Sequence, residues 1–228
     1  MQSLSAIIFI KKESERIPNK NFRLFNGRPL FTIILELLDS YPLIDKILVD
    51  SDSKEIQDYT SSLSKGIPIV RPEHLLGGHI TANALLEHDI RFSDSAHFFQ
   101  THVTNPLLSV STITKAIEKY FSSLTDHDSL FSVSRIQHRV FDKNANPINH
   151  EKTKLLRTQD LDPVFHENSN FFIFSKNSFK NAGNNRVGLK PLMYEISPIE
   201  AVDIDYENEF RLAELIDKNK NLFPDIFN

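Results

Sequence analysis

A cluster of cations follows the first apolar segment of the chain. Residues 6–10 (Ala-Ile-Ile-Phe-Ile) form a short apolar run, which predicts a buried parallel strand. Lys11, Lys12, Arg16 and Lys20 come next, interleaved with hydroxyl and amide side chains. Because open α/β sheets bind ligands at the carboxyl ends of their strands, this loop predicts a site for a polyphosphate. On charge alone, a solvated surface loop is the simpler interpretation.

Two carboxylates far along the chain, Asp203 and Asp205, are spaced to meet one cation. In an extended segment, residues two apart point to the same face, so both could bind one hard divalent ion. Magnesium bound to a nucleotide needs only one or two protein carboxylates, because water and phosphate oxygens complete its octahedron. The alternatives are an exposed acidic edge or a cap for the following helix. A second acidic pair, Asp50 and Asp52, also follows a predicted strand, and capping the next helix is its simpler role.

Polar residues also follow an apolar run at residues 96–100. Gln100, His102 and Asn105 stand where a parallel strand would end. They predict either ligand contacts or the turn chemistry that Asn-Pro sequences favour. Arg157 lies in a later polar stretch, and its planar guanidinium suits a carboxylate ligand because the fork can bond both oxygens at once. An ion pair within a surface subdomain would explain that arginine equally.

Composition limits the classes of protein that the chain can represent. A formal net charge of -4 over 228 residues argues against a general nucleic-acid surface and favours a local basic site for a small anion. The chain has no cysteine, which excludes disulfides and thiolate catalysis, and its nine histidines show no zinc-binding spacing. Its longest apolar stretch, at residues 30–38, falls short of a membrane span, and the N-terminus lacks a signal-peptide pattern. We therefore expect a cytoplasmic protein that binds neither nucleic acid nor membrane.

Strand and helix patterns alternate along most of the chain. Apolar runs predict strands at residues 6–10, 46–50, 67–70, 96–100 and 130–133, and regular structure resumes at 170–174 and 192–196. Apolar spacing predicts helices at residues 30–38, 54–59 with Ser53 as N-cap, 81–90, 109–121 and 208–216. The alternation is typical of an α/β fold with a mostly parallel sheet and helices on both faces. It fails from about residue 135 to 164, a polar stretch that predicts a lid, a small subdomain or an arm that packs on a partner chain.

Five motifs, in the same order from residue 6 to about residue 216, resemble those of the acylneuraminate cytidylyltransferases, the CMP-sialic acid synthetases. The matching segments are residues 7–21, 49–56, 71–75, 157–163 and 199–210. The resemblance implies a Rossmann-like sheet of the nucleotide-diphospho-sugar transferase type in a single domain, residues 1–228. It also implies a homodimer in which an inserted dimerisation or lid subdomain, at approximately residues 135–168, reaches across to the partner.

The family's activity is the transfer of CMP from CTP to the anomeric hydroxyl of a nine-carbon keto-sugar acid, with release of pyrophosphate. By position in the motifs, the resemblance assigns nucleotide binding to Lys11, Ser14, Arg16, Lys20, Asn21, Arg71 and Thr81. It assigns Mg²⁺ to Asp203 and Asp205, with Lys20 as a third catalytic residue, and the sugar acid to Gln100, Arg139, Arg157 and Gln159. Magnesium would bridge phosphate and sugar oxygens and lower the pKa of the attacking hydroxyl.

The first loop departs from the family pattern, which is usually Pro-Ala-Arg-x-Gly-Ser-Lys. Residues 9–15 here are Phe-Ile-Lys-Lys-Glu-Ser-Glu, which lack the glycine and place Glu15 where a lysine would help. Arg16 could compensate, as in a divergent branch of the family with a Ser-Glu-Arg loop. Leu108 likewise replaces an arginine of the motif that begins at Gln100. These departures leave two alternatives open: an eight-carbon acid such as Kdo as the substrate, or a catalytically silent relative that binds nucleotide.

Overall fold

A computed structural model describes residues 3–227 of the chain, and one mixed sheet forms its centre. The strands are β1 (Leu4–Ile10), β2 (Leu24–Phe25), β3 (Arg28–Pro29), β4 (Lys46–Ser51), β5 (Gly66–Val70), β6 (His97–Thr101), β7 (Ser129–Ile136), β8 (Val164–Ser175) and β9 (Pro191–Glu195). Seven of them form the sheet in the order β5-β4-β1-β6-β8-β7-β9, and β2 pairs with β3 separately. β8 is antiparallel to both neighbours and the other sheet pairs are parallel, which confirms the predicted fold class.

The predicted helices are all present, with ends shifted by a few residues. The helices are α1 (Leu30–Ser40), α2 (Lys54–Ser62), α3 (Ala82–Asp89), α4 (Val110–Ser122), α5 (Lys176–Asn181), α6 (Glu207–Lys218) and α7 (Pro224–Phe227). α4 shows the cause of the agreement, because Ile113, Ile117 and Tyr120 follow helical spacing and form one buried face. Between residues 3 and 227, no helix combines the length and the apolar character that crossing a membrane requires.

Alternate residues of β1 point into two separate cores. Ala6, Ile8 and Ile10 lie in a buried cluster with residues of α1 and α4. Ile7 lies in a second cluster, which contains residues of α3 and α5. Since successive strand residues face opposite sides of a sheet, helices cover this sheet on both faces, as the sequence predicted.

The strands on either side of the irregular insert are longer than predicted. β7 continues to Ile136 and β8 begins at Val164, whereas the apolar pattern marked only residues 130–133 and 170–174. The first residues of β8 are largely exposed, so they lack the apolar signal of a core strand. The irregular segment is therefore 137–163, which contains a 3-10 turn and an isolated β-bridge.

Candidate active site

A polar cleft of about 550 Å³ opens at the carboxyl ends of β1, β5 and β6. Lys11, Arg71 and His102, which follow these three strands, all line it. This is the edge at which open α/β sheets bind ligands, and the volume is typical of a small-molecule site. Of the sequence-predicted residues, the cleft brings together Lys11, Ser14, Arg16, Lys20, Asn21, Arg71, Asp203 and Asp205.

The loop after β1 has a fixed backbone. Asn21 Nδ2 donates a hydrogen bond to the carbonyl oxygen of Lys11 over 2.7 Å, which ties the two ends of the loop together. Ile17, in the middle of the loop, is buried in a cluster with residues of α1 and α6. Asn19 has a φ of 53°, in the left-handed region, and turns the chain into the 3-10 turn Lys20–Phe22. The cationic side chains of the loop therefore extend from an anchored backbone.

Two cations of this loop contact Asp205, one member of the acidic pair from the other end of the chain. Lys20 is buried, and its Nζ donates to the carbonyl oxygen of Ile204 and lies 3.5 Å from Asp205 Oδ1. Arg16 Nη1 donates to Asp205 Oδ2 over 2.7 Å. These contacts join residues 184 to 189 positions apart in the chain. The basic loop and the acidic pair thus form one site.

Asp203 and Asp205 both face the cleft, and Ile204 between them is buried in the core. This is the same-face arrangement that the two-residue spacing predicted. Burial raises the pKa of Asp203, and the negative charge of Asp205 raises it further. Asp203 Oδ1 is buried and has no hydrogen-bond partner among the described residues. An unpartnered carboxylate oxygen beside a second carboxylate fits a divalent cation such as Mg²⁺.

A buried ion pair with Asp50 holds the Arg71 side chain at the cleft wall. Its Nε donates to Asp50 Oδ1 over 2.6 Å, and its Nη2 donates to the Asp50 carbonyl oxygen over 3.2 Å. Asp89 lies next to this pair and is fully buried. Burial, together with the negative charge of Asp50, raises the pKa of Asp89 to about 9. The raised pKa favours the protonated form of Asp89, whereas the charge of Arg71 favours the ionised form of Asp50.

Asp50, near the end of β4, and Asp52, just after β4, do not cap α2, and the capping role predicted for them is wrong. Ser53 occupies the N-cap position, but its side chain makes no capping hydrogen bond. Asp50 is engaged by Arg71, and Asp52 Oδ1 accepts a hydrogen bond from the Lys12 amide over 2.6 Å. Both partners come from loops after other strands, which local sequence spacing does not reveal.

Arg186 lines the cleft, and no sequence signal marked it. It contacts Gln100, which is fully buried and is not among the residues that line the cleft, so the sugar contact expected of Gln100 stays a prediction. Arg186 Nη1 donates to Gln100 Oε1 over 2.6 Å. This contact orients the amide, so that Gln100 Nε2 donates to His102 Nε2 over 3.0 Å. Burial, followed by the positive charges of Arg186 and Lys20, lowers the pKa of His102 to about 4, which keeps the ring neutral. Arg186 lies in a turn after a short helix, where neither periodicity nor spacing singles out a functional residue.

Thr81 is not among the residues that line the cleft, although its neighbour Ala82 is. Its hydroxyl oxygen accepts a hydrogen bond from the amide of Ala84 over 3.2 Å and so caps the N-terminus of α3. The phosphate contact expected of Thr81 stays a prediction.

The three residues predicted to bind sugar from the insert lie away from the cleft of their own chain. Arg157 is exposed, and its Nε donates to Asp160 Oδ2 over 2.7 Å, the ion pair within a surface subdomain that the sequence left open. Arg139 donates to a backbone carbonyl within the insert, and Gln159 is exposed. A role for these residues in sugar binding would need a partner chain, and it stays a prediction.

Comparison with known proteins shows which family the chain matches. A family model described as cytidylyltransferase matches residues 5–223 of the chain. The matched region contains the basic loop, Arg71, Gln100 and the acidic pair.

Two relatives and one solved structure show the extent of the similarity. Pseudaminic acid cytidylyltransferase of Campylobacter jejuni is 27% identical over 177 residues, which are 73% of this chain and 75% of that protein. CMP-N,N'-diacetyllegionaminic acid synthase of Legionella pneumophila is 27% identical over 226 residues, 92% of this chain and 94% of that protein. The structure of CMP:2-keto-3-deoxy-manno-octonic acid synthetase complexed with CTP superimposes with a TM-score of 0.70 at 10% identity, covering 96% of this chain and 100% of that chain. At that identity, the structural likeness shows the fold alone.

Proposed function

The chain belongs to the cytidylyltransferase family, and we propose that it transfers CMP from CTP to the anomeric hydroxyl of an acidic nine-carbon keto-sugar, with release of pyrophosphate. One observation carries the proposal: Arg16 and Lys20 converge with Asp203 and Asp205 in a single cleft at the ligand-binding edge of the sheet. Cations and metal-binding carboxylates side by side suit a triphosphate and its counter-ion.

The loop after β1 would hold the triphosphate. Lys11, Ser14, Arg16, Lys20 and Asn21 all extend toward the cleft from one anchored backbone segment. Phosphoryl transfer needs little covalent chemistry from the protein, so its catalytic residues act by positioning the reactants and stabilising charge. The buried ammonium of Lys20 is suited to stabilise charge that develops on the phosphate oxygens, because it is preorganised and shielded from water.

Asp203 and Asp205 would hold the magnesium ion. When bound, Mg²⁺ neutralises phosphate charge and lowers the pKa of a hydroxyl that it coordinates. Asp205 also holds Arg16 and Lys20 in place through its two oxygens. On the nucleotide side, Arg71 would lie near the cytosine, since it lines the cleft beyond the loop and is held by Asp50.

The substrate class follows from the relatives that the chain resembles. The pseudaminic and legionaminic acid enzymes support an acidic nine-carbon sugar. An eight-carbon acid is the second candidate, since the solved synthetase for such an acid shares the fold. A catalytically silent nucleotide-binding relative is disfavoured, because Lys20, Asp203 and Asp205 are in mutual reach despite the altered first loop.

A homodimer would complete the site. The protein would act in the cytoplasm, where CTP is available. Phe141, Ile148 and Leu155 of the insert are exposed apolar residues, which suits a surface that packs on a second copy. In such a dimer, Arg139 and Arg157 would approach the partner's cleft and could bind the sugar acid there.

A pyrophosphate-release assay tests the function. The purified chain is mixed with CTP, Mg²⁺ and one sugar acid at a time, and the pyrophosphate released is measured. The panel contains sialic, legionaminic, pseudaminic and ketodeoxynonulosonic acids and Kdo. We expect turnover with one nine-carbon acid and its loss in Asp205→Ala. Turnover with Kdo alone would favour the eight-carbon alternative. Silence with the whole panel, with CTP binding retained, would support the silent relative instead.

A further inference from the structure

We propose that Arg186 binds the carboxylate of the acidic sugar and thereby selects acids over neutral sugars. The inference rests on the proposed function and deepens it, since it assigns the acid-recognising side chain to this chain's own cleft rather than to the insert.

Arg186 is held rigidly in the cleft wall. Its Cζ lies 3.6 Å from the ring centroid of Phe172, a core residue of β8, so the guanidinium stacks on a buried aromatic face. The backbone amide of Arg186 donates to Asn83 Oδ1 over 3.3 Å, which ties the turn to α3. A stacked and tethered arginine loses little conformational entropy when it binds a ligand.

No carboxylate between residues 3 and 227 lies within ion-pair distance of Arg186. Its protein acceptor is the neutral Gln100 amide. Burial lowers the pKa of Arg186 to about 10, although the charge of Glu167 raises it. Desolvation of an unpaired cation costs free energy, which an anionic ligand in the cleft would offset.

The position of Arg186 favours the sugar acid over the triphosphate. The phosphate-binding cations come from the loop after β1, where Asp205 contacts Arg16 and Lys20. Arg186 instead stands with Gln100, the last but one residue of β6 and the residue expected to contact the sugar. Because Nη1 is engaged by Gln100, Nη2 of Arg186 is left for one oxygen of a planar carboxylate, and Nη1 can share its second hydrogen.

Steady-state kinetics of Arg186→Gln and Arg186→Lys test the inference. Loss of a charge-assisted hydrogen bond should raise KM for the sugar acid by about 10- to 100-fold, with KM for CTP within about twofold of the parent value. Arg186→Lys should recover part of the loss, because it keeps the charge but not the fork. Arg28→Gln, which removes an exposed arginine paired with Glu36, is the matched control and should leave both constants unchanged.

A neutral substrate analogue separates recognition from folding. In the unaltered protein, replacing the sugar acid by its carboxamide should raise KM by a similar factor. With the carboxamide as substrate, Arg186→Gln should have the same KM as the unaltered protein. A purely structural role would instead weaken acid and carboxamide equally. This comparison is informative even if a variant fails to fold. An equal KM of the unaltered protein for the acid and for its carboxamide would by itself overturn the inference.

The remaining outcomes distinguish the two proposals. An unchanged KM for the acid in Arg186→Gln, with an active parent, would refute the role of Arg186 and leave the proposed function standing. A raised KM for CTP alone would assign Arg186 to the nucleotide and also refute it. If the parent releases no pyrophosphate with any acid, the proposed function fails and this inference fails with it.

Discussion

The guanidinium of Arg71 and the carboxylate of Asp50 form an ion pair of 2.6 Å in which both side chains are buried. The pair joins the end of β4 to the residue after β5 and places Arg71 at the cleft. A buried pair is costly to break, because the remaining charge loses its partner without regaining water.

Asp50→Asn should therefore lower the free energy of unfolding by roughly 3–5 kcal/mol. Urea denaturation of the variant and the parent measures the difference. Asp58→Asn is the control, since Asp58 forms an exposed pair with Lys54 and should change the free energy by only about 0–1 kcal/mol. Equal small losses in both variants would show that Arg71 does not depend on Asp50.

Asp89 should make the stability fall as the pH rises. The native state keeps the Asp89 proton up to its raised pKa of about 9, whereas the unfolded chain releases it near the ordinary aspartate value of about 4. Between these pH values the native state binds more protons, so each step up in pH favours unfolding. Asp89→Asn removes this proton, and its thermal unfolding should depend less on pH across that window. The exposed Asp94→Asn should leave the profile of the parent unchanged, and an equally steep profile in Asp89→Asn would contradict the assignment.

The acidic pair should control the metal requirement of turnover. Asp203→Asn should lower pyrophosphate release by about 100-fold and shift the Mg²⁺ midpoint to higher concentration, because one metal-binding oxygen is lost. A magnesium titration of the rate measures both effects, and chelation by EDTA should silence the parent. The exposed Asp126→Asn serves as the control. A lower rate with an unchanged Mg²⁺ midpoint would argue that Asp203 acts without a metal.

The exposed apolar residues of the insert should hold the proposed dimer together. Leu155 is 88% exposed in the single chain, and Leu155→Asp should shift the sedimentation-equilibrium mass from dimer toward monomer, since a charge would be buried at the interface. Leu189→Asp, which alters a residue that is 67% exposed outside the insert, should remain dimeric. A parent protein that sediments as a monomer would refute the dimer.

The sequence predicts those parts of the molecule that local spacing controls. The apolar run at residues 6–10 became a buried strand, because its length and its isoleucines suit a parallel core position. The two-residue spacing of Asp203 and Asp205 placed both at one face, because extended backbone alternates its side chains. The helices were predicted from their apolar faces, because residues three or four apart lie on the same side of a helix.

Partners that meet only in the folded chain could not be predicted. The antiparallel entry of β8 depends on where the chain returns from the insert, and its first half lacks the apolar pattern of a core strand. Arg71 was predicted as a site residue and Asp50 as part of a helix cap, and nothing local shows that the two pair. Arg186 needs Phe172 and Gln100 beside it to become notable, and both belong to other elements.

The order of the strands in the sheet also has a consequence for protein synthesis. By the time the ribosome has released the chain through Thr101, it has supplied β1, β4, β5 and β6, which are consecutive neighbours in the folded sheet. The other edge of β6 then stays open until β8 is made, and the apolar residues that β8 will cover are exposed to aggregation in the meantime. Asp203 and Asp205 emerge later still, so we expect nascent chains to hold a compact parallel half before the proposed Mg²⁺ site can form. Pulsed proteolysis of chains arrested at increasing lengths would detect this order. We expect the nascent chain to depend on chaperones mainly between the synthesis of β6 and the synthesis of β8.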